Sequence, residues 1–312
     1  MAWWEAVVLG VVQGLTEFFP VSSSGHLVMT QELMGLRVPG IGFEVALHVA
    51  TLVSVLLVYR QRVLSLARGL WPGRARGAEE PAAWPYVLML VLASVPAAVV
   101  GVGFEDWFEA RFDDARFAGT MLLVTGAVVW SSRWARGTRR GVLFEALPVG
   151  VAAVVSVVAG TVLPFAVVLA VMTVLMVASR LTAPAEWTRW PTWGGAVLMG
   201  VAQAAAILPG ISRSGSTVLA GLWRRIEPEA AAEFSFLMSV PAILGAALLS
   251  LPELTESGAV EAGVVPIAAG SVAAAVSGVL AIRLFVALLR RRSFHSFAIY
   301  CWVAATAFLL VR

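Results

Sequence analysis

The sequence predicts an all-α polytopic integral membrane protein, built as a single transmembrane domain over residues 1–312. Three observations predict it. Hydrophobic residues make up 60% of the chain and charged residues only 13%, against about 25% charged in a soluble domain. The apolar residues fall in many long runs, the pattern of repeated membrane segments and not of one leader peptide. The charges lie between those runs and segregate by sign. Together these features exclude a soluble enzyme, a disordered chain and a collagen-like chain. A single cysteine, Cys301, excludes an intramolecular disulfide and a thiolate metal cluster. All 22 basic residues are Arg, for a net charge of +3. They cluster beside apolar runs, so they read as orientation signals in a membrane and not as a nucleic-acid surface.

The apolar runs, in order, are 3–19, 45–59, 86–102, 117–132, 142–159, 165–179, 195–208, 231–251, 264–289 and 294–311. A helical span needs roughly 20 residues. The first and seventh runs do not read as crossings. Each enters a break, Pro20-Val21-Ser22-Ser23-Ser24-Gly25 in one case and Pro209-Gly210-Ile211-Ser212-Arg213-Ser214-Gly215 in the other, and is followed by more apolar sequence. Non-helical backbone at membrane depth is tolerated only against protein or a wet cavity, so the two breaks predict a cavity. The other runs give eight crossings. Pro148 and Pro164 in 142–179 can reduce that pair to a distorted hairpin, which leaves six.

Loop charge sets the orientation. Arg60, Arg62, Arg68, Arg74 and Arg76 form one basic cluster, 133–140 a second, Arg224 and Arg225 a third, and Arg290–Arg292 a fourth. The loops 105–114 and 253–261 are acidic. The positive-inside bias puts the Arg clusters in the cytoplasm and the acidic loops outside. The first broken hairpin then enters from outside and the second from inside.

An approximate repeat, 1–140 and 190–312, supports that geometry. Gly10-Val11 matches Gly200-Val201, Gln13 matches Gln203, Ser22 matches Ser212 and Ser24-Gly25 matches Ser214-Gly215, all at an offset of 190 residues. Inverted repeats with broken helices put their site near the midplane. A Ser-Val-Pro-Ala tetrad also recurs, at Ser94–Ala97 and Ser239–Ala242, with a different offset.

Glu17, His26 and Arg213 are ionisable residues in or beside the breaks, and such residues inside a membrane point to a site. Gln13 shares a helical face with Glu17. Gly-rich turns feeding helices offer backbone N–H groups to an anion, and an Arg fork suits phosphate oxygens. A structural ion pair between Glu17 and Arg213 does not by itself explain the Ser/Thr density around both breaks. His48, four residues after Glu44, is a weaker candidate.

The stretch Gln13–Leu27 resembles the first signature of the bacterial undecaprenyl-diphosphate phosphatase family, also known for bacitracin resistance, and Pro209–Thr217 resembles the second. Phe234–Ala242 and Ala46–Leu52 are similar to the family as well. The resemblance implies removal of the terminal phosphate from undecaprenyl diphosphate, which returns the cell-wall lipid carrier. It implies a multi-pass protein of the bacterial cytoplasmic membrane whose site opens to the periplasmic side. It also implies a divalent cation, Mg²⁺ or Ca²⁺, on Glu17; Gln13 either coordinates it through its neutral oxygen or leaves Glu17 to suffice, and Gln in place of Glu weakens a metal role for position 13. Position 13 is often Glu in the family, and Gln is an accepted variant. The implied catalytic set is Glu17, His26, Arg213 and Ser23, with Ser22, Ser24, Gly25, Ser212, Ser214, Gly215, Ser216 and Thr217 lining the phosphates. His26, a serine hydroxyl or water remains open as nucleophile, with His26 favoured for the chemistry. The rival class is a polyprenyl-phosphate transporter using the same inverted-repeat site. The partners expected are the lipid and the bilayer, with no nucleic acid; a homodimer is left open.

Overall fold

The structure is a computed structural model that describes residues 1–36, 42–71, 82–112, 114–133, 135, 183–184, 186–249, 263–291 and 293–311. The expected segments 142–159 and 165–179 and the acidic loop 253–261 lie outside the described residues, as do Arg74, Arg76, Arg136, Arg139, Arg140 and Arg292. The described helices are α1 (Trp3–Phe18), α2 (Ser23–Met34), α3 (Gly42–Val58), α4 (Arg60–Gly69), α5 (Ala83–Gly103), α6 (Glu105–Phe112), α7 (Ala115–Trp130), α8 (Trp193–Ala205), α9 (Arg213–Trp223), α10 (Pro228–Leu249), α11 (Val264–Arg290) and α12 (Phe297–Val311). Among the described residues the β-type pairing is one isolated bridge, Thr188 with Ile226.

Four described helical stretches are long and apolar enough to cross a membrane: Ala83–Gly103, Pro228–Leu249, Val264–Arg290 and Phe294–Val311. Gly42–Val58 joins them only when taken with Arg60–Gly69, and the two are bent by 78°. The bend falls where the apolar run gives way to Arg60-Gln61-Arg62, residues that cannot continue into hydrocarbon. Two stretches read from sequence as charged loops are helical instead, namely α4 within 60–76 and α6 within 105–114. Arg, Gln and Glu are good helix formers, and an interfacial helix can carry such charges on its wet face.

Two hairpins occupy the middle of the bundle. α1 leads into α2, and α8 leads into α9. The N-terminal half of α1 packs with the start of α3 and with α11, through Ala6, Leu9, Phe43, Leu47 and Ala274. Small residues let the backbones of α1 and α11 approach: a Cβ on Gly10 would run into the Gly270 carbonyl, and one on Gly14 into the Ala274 carbonyl. Close approach of this kind replaces hydrophobic driving force inside a bilayer. The repeat counterpart of Gly10 behaves alike, since a Cβ on Gly200 of α8 would meet the backbone of Ala93 on α5. α7 and α12 pack on each other, with the Trp302 indole N–H donating to the Leu123 carbonyl at 3.2 Å.

The charged ends sort onto one face. Arg62 pairs with Glu233 at 3.0 Å and lies over the rings of Tyr86 and Trp190. Arg290 pairs with Glu229 at 2.8 Å. The α8–α9 hairpin opens toward this Arg-rich face, because Thr188 near its start bridges Ile226 just past its end. The α1–α2 hairpin opens toward the other face, where Gln31 donates to Glu44 at 3.0 Å.

Candidate active site

Each hairpin turns at a break that the sequence dictates. α1 stops at Phe18, Pro20 follows, and Ser22 takes up φ 66°. Positive φ is rare for a non-glycine residue and marks a locally over-determined backbone. Ser22 then caps α2, its hydroxyl accepting from the Gly25 N–H at 3.3 Å. In the second break Gly210 supplies the positive φ, at 94°, and Ser212 caps α9 by accepting from the Gly215 N–H at 3.0 Å. The two caps are the repeat counterparts noted above.

The tips interlock. The Ser214 hydroxyl donates to the Phe19 carbonyl at 2.8 Å. A Cβ on Gly25 would stand 2.9 Å from Gly210 Cα, and one on Gly215 would stand 3.2 Å from Pro20 Cβ. Thr125 of α7 closes the second break from behind. Its hydroxyl donates to the Gly210 carbonyl at 2.7 Å and accepts from the Ser212 N–H at 3.0 Å. The irregular backbone is thereby satisfied by protein, as membrane depth requires.

Glu17 is the hub of the site. Its side chain is 4% exposed and forms an ion pair with Arg213 across the two hairpins. Its second oxygen accepts from the Ser23 hydroxyl at 2.5 Å and from the Gln13 amide at 2.9 Å. His48 Nε2 stands 3.9 Å from that same oxygen. The ring is oriented by Nδ1, which donates to the Glu44 carbonyl at 2.9 Å; in the neutral ring this leaves Nε2 as an acceptor facing Glu17. A carboxylate this buried is held by its partners, since an unpaired one would cost several kcal/mol.

These groups face a cavity of about 420 Å³ lined by Glu17, Ser23, Ser24, His48, Ser212 and Arg213 at the hairpin tips. Small residues of α5 and α10, among them Ser94, Ala97, Gly101, Ala242 and Gly245, form its walls. Both Ser-Val-Pro-Ala tetrads therefore contribute to it. Ser23 and Arg213 are the first residues of α2 and α9, so two helix N-termini converge on the space. That arrangement suits an anion.

The sequence-selected residues divide into three groups. Glu17, Ser23, Ser24, Ser212, Arg213 and His48 reach the cavity. Ser22, Gly25, Ser214 and Gly215 build the tips, while Thr217 donates to the Arg213 carbonyl at 2.7 Å and contacts the Ser235 hydroxyl at 2.6 Å. Ser216 is buried. His26 stands apart: one ring nitrogen meets the Ser22 carbonyl at 2.8 Å and the other the Tyr300 hydroxyl at 2.9 Å. Its ring stacks on Tyr300 of α12 and is not on the cavity wall. His48, the weaker candidate from sequence, is the histidine beside Glu17. The residue overlooked as a site group is Gln203, which lines the cavity and was visible in the sequence only as the repeat partner of Gln13.

The sequence model of the family described as bacitracin resistance protein BacA matches residues 6–162 and 141–307. The chain belongs to this family. BacA-family relatives match it from end to end. The undecaprenyl-diphosphatase of Desulfatibacillum aliphaticivorans is 34% identical, covering 100% of this chain and 99% of its own length. That of Syntrophotalea carbinolica is 35% identical, with 100% and 99% covered. That of Carboxydothermus hydrogenoformans is 33% identical, with 99% and 97% covered. In this BacA-family chain the first matched region carries the Glu17–Ser23 pair and the second carries Arg213.

Proposed function

We propose that this protein is an undecaprenyl-diphosphatase: it hydrolyses the terminal phosphate of undecaprenyl diphosphate, leaving undecaprenyl phosphate and inorganic phosphate. The name shared by its full-length relatives supports the reaction. The observation that carries the mechanism is the Ser23 hydroxyl, donating to Glu17 at 2.5 Å inside a cavity shared with Arg213.

The steps follow from that geometry. The diphosphate draws the Arg213 fork from Glu17 onto its oxygens, a bidentate fit that a planar guanidinium provides. Glu17, released from its cation, becomes a stronger base and takes the Ser23 proton. Ser23 Oγ bonds to the terminal phosphorus as the bond from that phosphorus to the bridging oxygen breaks. The lipid monophosphate leaves with that oxygen as an anion. N–H groups at the starts of α2 and α9 stabilise the charge on the transferring group. His48 Nε2 then takes the proton from Glu17. In the second half Glu17 accepts a proton from water, whose oxygen bonds to phosphorus as the Ser23 Oγ–P bond breaks. Glu17 returns that proton to Ser23 Oγ, His48 gives the proton it holds to the departing phosphate, and inorganic phosphate is released.

A divalent cation would be held by the same residues. Glu17 offers a carboxylate, and the Gln13 carbonyl oxygen is buried without a hydrogen-bond partner; oxygen donors of this kind suit Mg²⁺ or Ca²⁺. Held there, the cation would neutralise non-bridging phosphate oxygens.

The site also suits a lipid. Each buried CH₂ is worth about 0.8 kcal/mol, so the polyprenyl tail stays in the bilayer and only the headgroup enters between α5 and α10. The cavity extends to Gly101, Val102, Phe112 and Leu249: Phe112 lies in the acidic helix α6, Gly101 and Val102 just precede it in the chain, and Leu249 precedes the acidic stretch 253–261. With the Arg-rich face in the cytoplasm, the cavity opens to the outer side of the bacterial cytoplasmic membrane.

The test is phosphate release from a C55 diphosphate by purified protein in detergent, with and without Mg²⁺, beside Arg213→Ala. Release by wild type and its loss in the variant are expected. Folded wild type releasing no phosphate from substrates of several tail lengths would overturn the hydrolase reading in favour of lipid-phosphate transport.

A further inference from the structure

We infer that Gln203 is a second anchor for the diphosphate headgroup, binding it through its side-chain amide and favouring diphosphate over the monophosphate product. The inference rests on the hydrolase reading of this cavity and adds a specificity residue to it.

Gln203 of α8 is 3% exposed and lines the cavity. Neither its amide nitrogen nor its carbonyl oxygen has a hydrogen-bond partner among the described residues. Its polar neighbours on the wall are each engaged: Ser23 and Arg213 on Glu17, Ser212 on the Gly215 N–H, His48 on the Glu44 carbonyl and Ser94 on the Leu90 carbonyl. A buried amide without a protein partner costs about 1–3 kcal/mol, so one kept beside a cavity is satisfied by what enters that cavity, water at rest and a polar headgroup when one binds.

The repeat indicates what that ligand is. In the first unit Gln13 donates its amide to Glu17, four residues on, at 2.9 Å. In the second unit the position four residues after Gln203 is Ile207. The second glutamine has the same place in its hairpin but no carboxylate to receive its amide. An anion from outside the chain completes it, and the anion this cavity takes is a phosphate group.

Position then separates the roles. Arg213 and Ser23 sit at the hairpin tips, whereas Gln203 lies on a hairpin arm, ten residues before Arg213. The amide N–H groups donate to non-bridging oxygens of the phosphate that stays with the lipid. The carbonyl accepts from a water carried in with the headgroup. A diphosphate engages both points, whereas a monophosphate seats its one phosphate on the charged Arg213 fork and leaves Gln203 unengaged, so the product binds more weakly and leaves. Gln203 is a positioning residue and takes no part in bond making.

The experiment compares wild type with Gln203→Met, which removes the polar atoms at similar volume. Its probes are a non-hydrolysable farnesyl methylenebisphosphonate and farnesyl monophosphate, with binding and unliganded thermal stability as readouts. The bisphosphonate Kd should rise roughly 10- to 100-fold, as for loss of a hydrogen bond to a charged group. The monophosphate Kd should move less than threefold, and Tm should hold or rise because an orphaned amide is gone. KM should rise with kcat little changed. An unchanged bisphosphonate Kd, an equal loss for both probes, or a fall in Tm would overturn the inference. If the Met variant does not fold, Gln203→Glu substitutes: its carboxylate should abolish bisphosphonate binding, and wild-type affinity there would be equally contrary. Binding is read without turnover, so failure of wild type to hydrolyse is a separate outcome.

Discussion

Replacing Ser23 with alanine probes the chemistry most sharply, because the structure separates this hydroxyl from the fold around it. The α2 cap is Ser22, not Ser23, so Ser23→Ala leaves the helix start intact. What it removes is one short bond to Glu17, at 2.5 Å. A hydrogen bond to a charged group contributes about 1.5–3 kcal/mol. Glu17 keeps Arg213 and Gln13, so the protein should remain folded with a modestly lower Tm. The kinetic effect is larger. Loss of the nucleophile, together with the proton path to Glu17, should lower kcat by about 10³-fold or more, using the range for positioned acid–base catalysis. That fold-change corresponds to about 4 kcal/mol of transition-state stabilisation. The assay is phosphate release under saturating C55 diphosphate, with binding of a non-hydrolysable bisphosphonate lipid measured alongside. Binding should change less than threefold, since Arg213 and both helix N-termini remain. Refutation would be a variant that retains a tenth or more of wild-type turnover. Water or a histidine would then be the attacking group.

Four further outcomes are expected. Arg213→Ala strands the buried Glu17 carboxylate and should destabilise the protein by about 3–5 kcal/mol; adding Glu17→Gln should restore Tm but not activity, and a Tm that stays low would contradict the ion-pair role. His26→Ala should lower kcat about 10²-fold through misplacement of Ser22–Ser23 and should also lower Tm; activity lost as completely as in Ser23→Ala, with Tm unchanged, would make His26 a direct participant. Gly25→Ala should separate the hairpin tips and cost both stability, by about 1–3 kcal/mol, and turnover. Gly103→Ala, where a Cβ meets nothing within 4 Å, should behave as wild type in the same melt and assay.

Much of this architecture is legible in the sequence because hydrocarbon enforces it. Apolar runs have to be helices when no water is available to the backbone, and the runs at 86–102, 231–251, 264–289 and 294–311 are helices close to those bounds. The breaks are legible because Pro20 and Pro209 interrupt one helix and Ser22 and Ser212 cap the next. Glu17 and Arg213 are legible through the cost of charge at depth. What is not legible is direction. Sequence spacing does not say that the His26 ring leans onto the Ser22 carbonyl and Tyr300, 274 residues away, because that contact depends on how α12 packs. For the same reason nothing in Ala46–Leu52 announces that His48 will stand 3.9 Å from Glu17. The bend at Tyr59 and the helicity of 105–112 were also missed, since charged segments beside a membrane read alike whether looped or helical.

The most direct test of the central claim is to trap the phosphoryl group. Purified protein is mixed with C55 diphosphate labelled in its terminal phosphate, quenched within the first turnover and digested for mass spectrometry. The account requires label on Ser23, absent in Ser23→Ala, built up in a variant slow in the second half-reaction such as His48→Gln, and chased into inorganic phosphate. Label on His26, or full turnover with no labelled protein at any quench time, would contradict it.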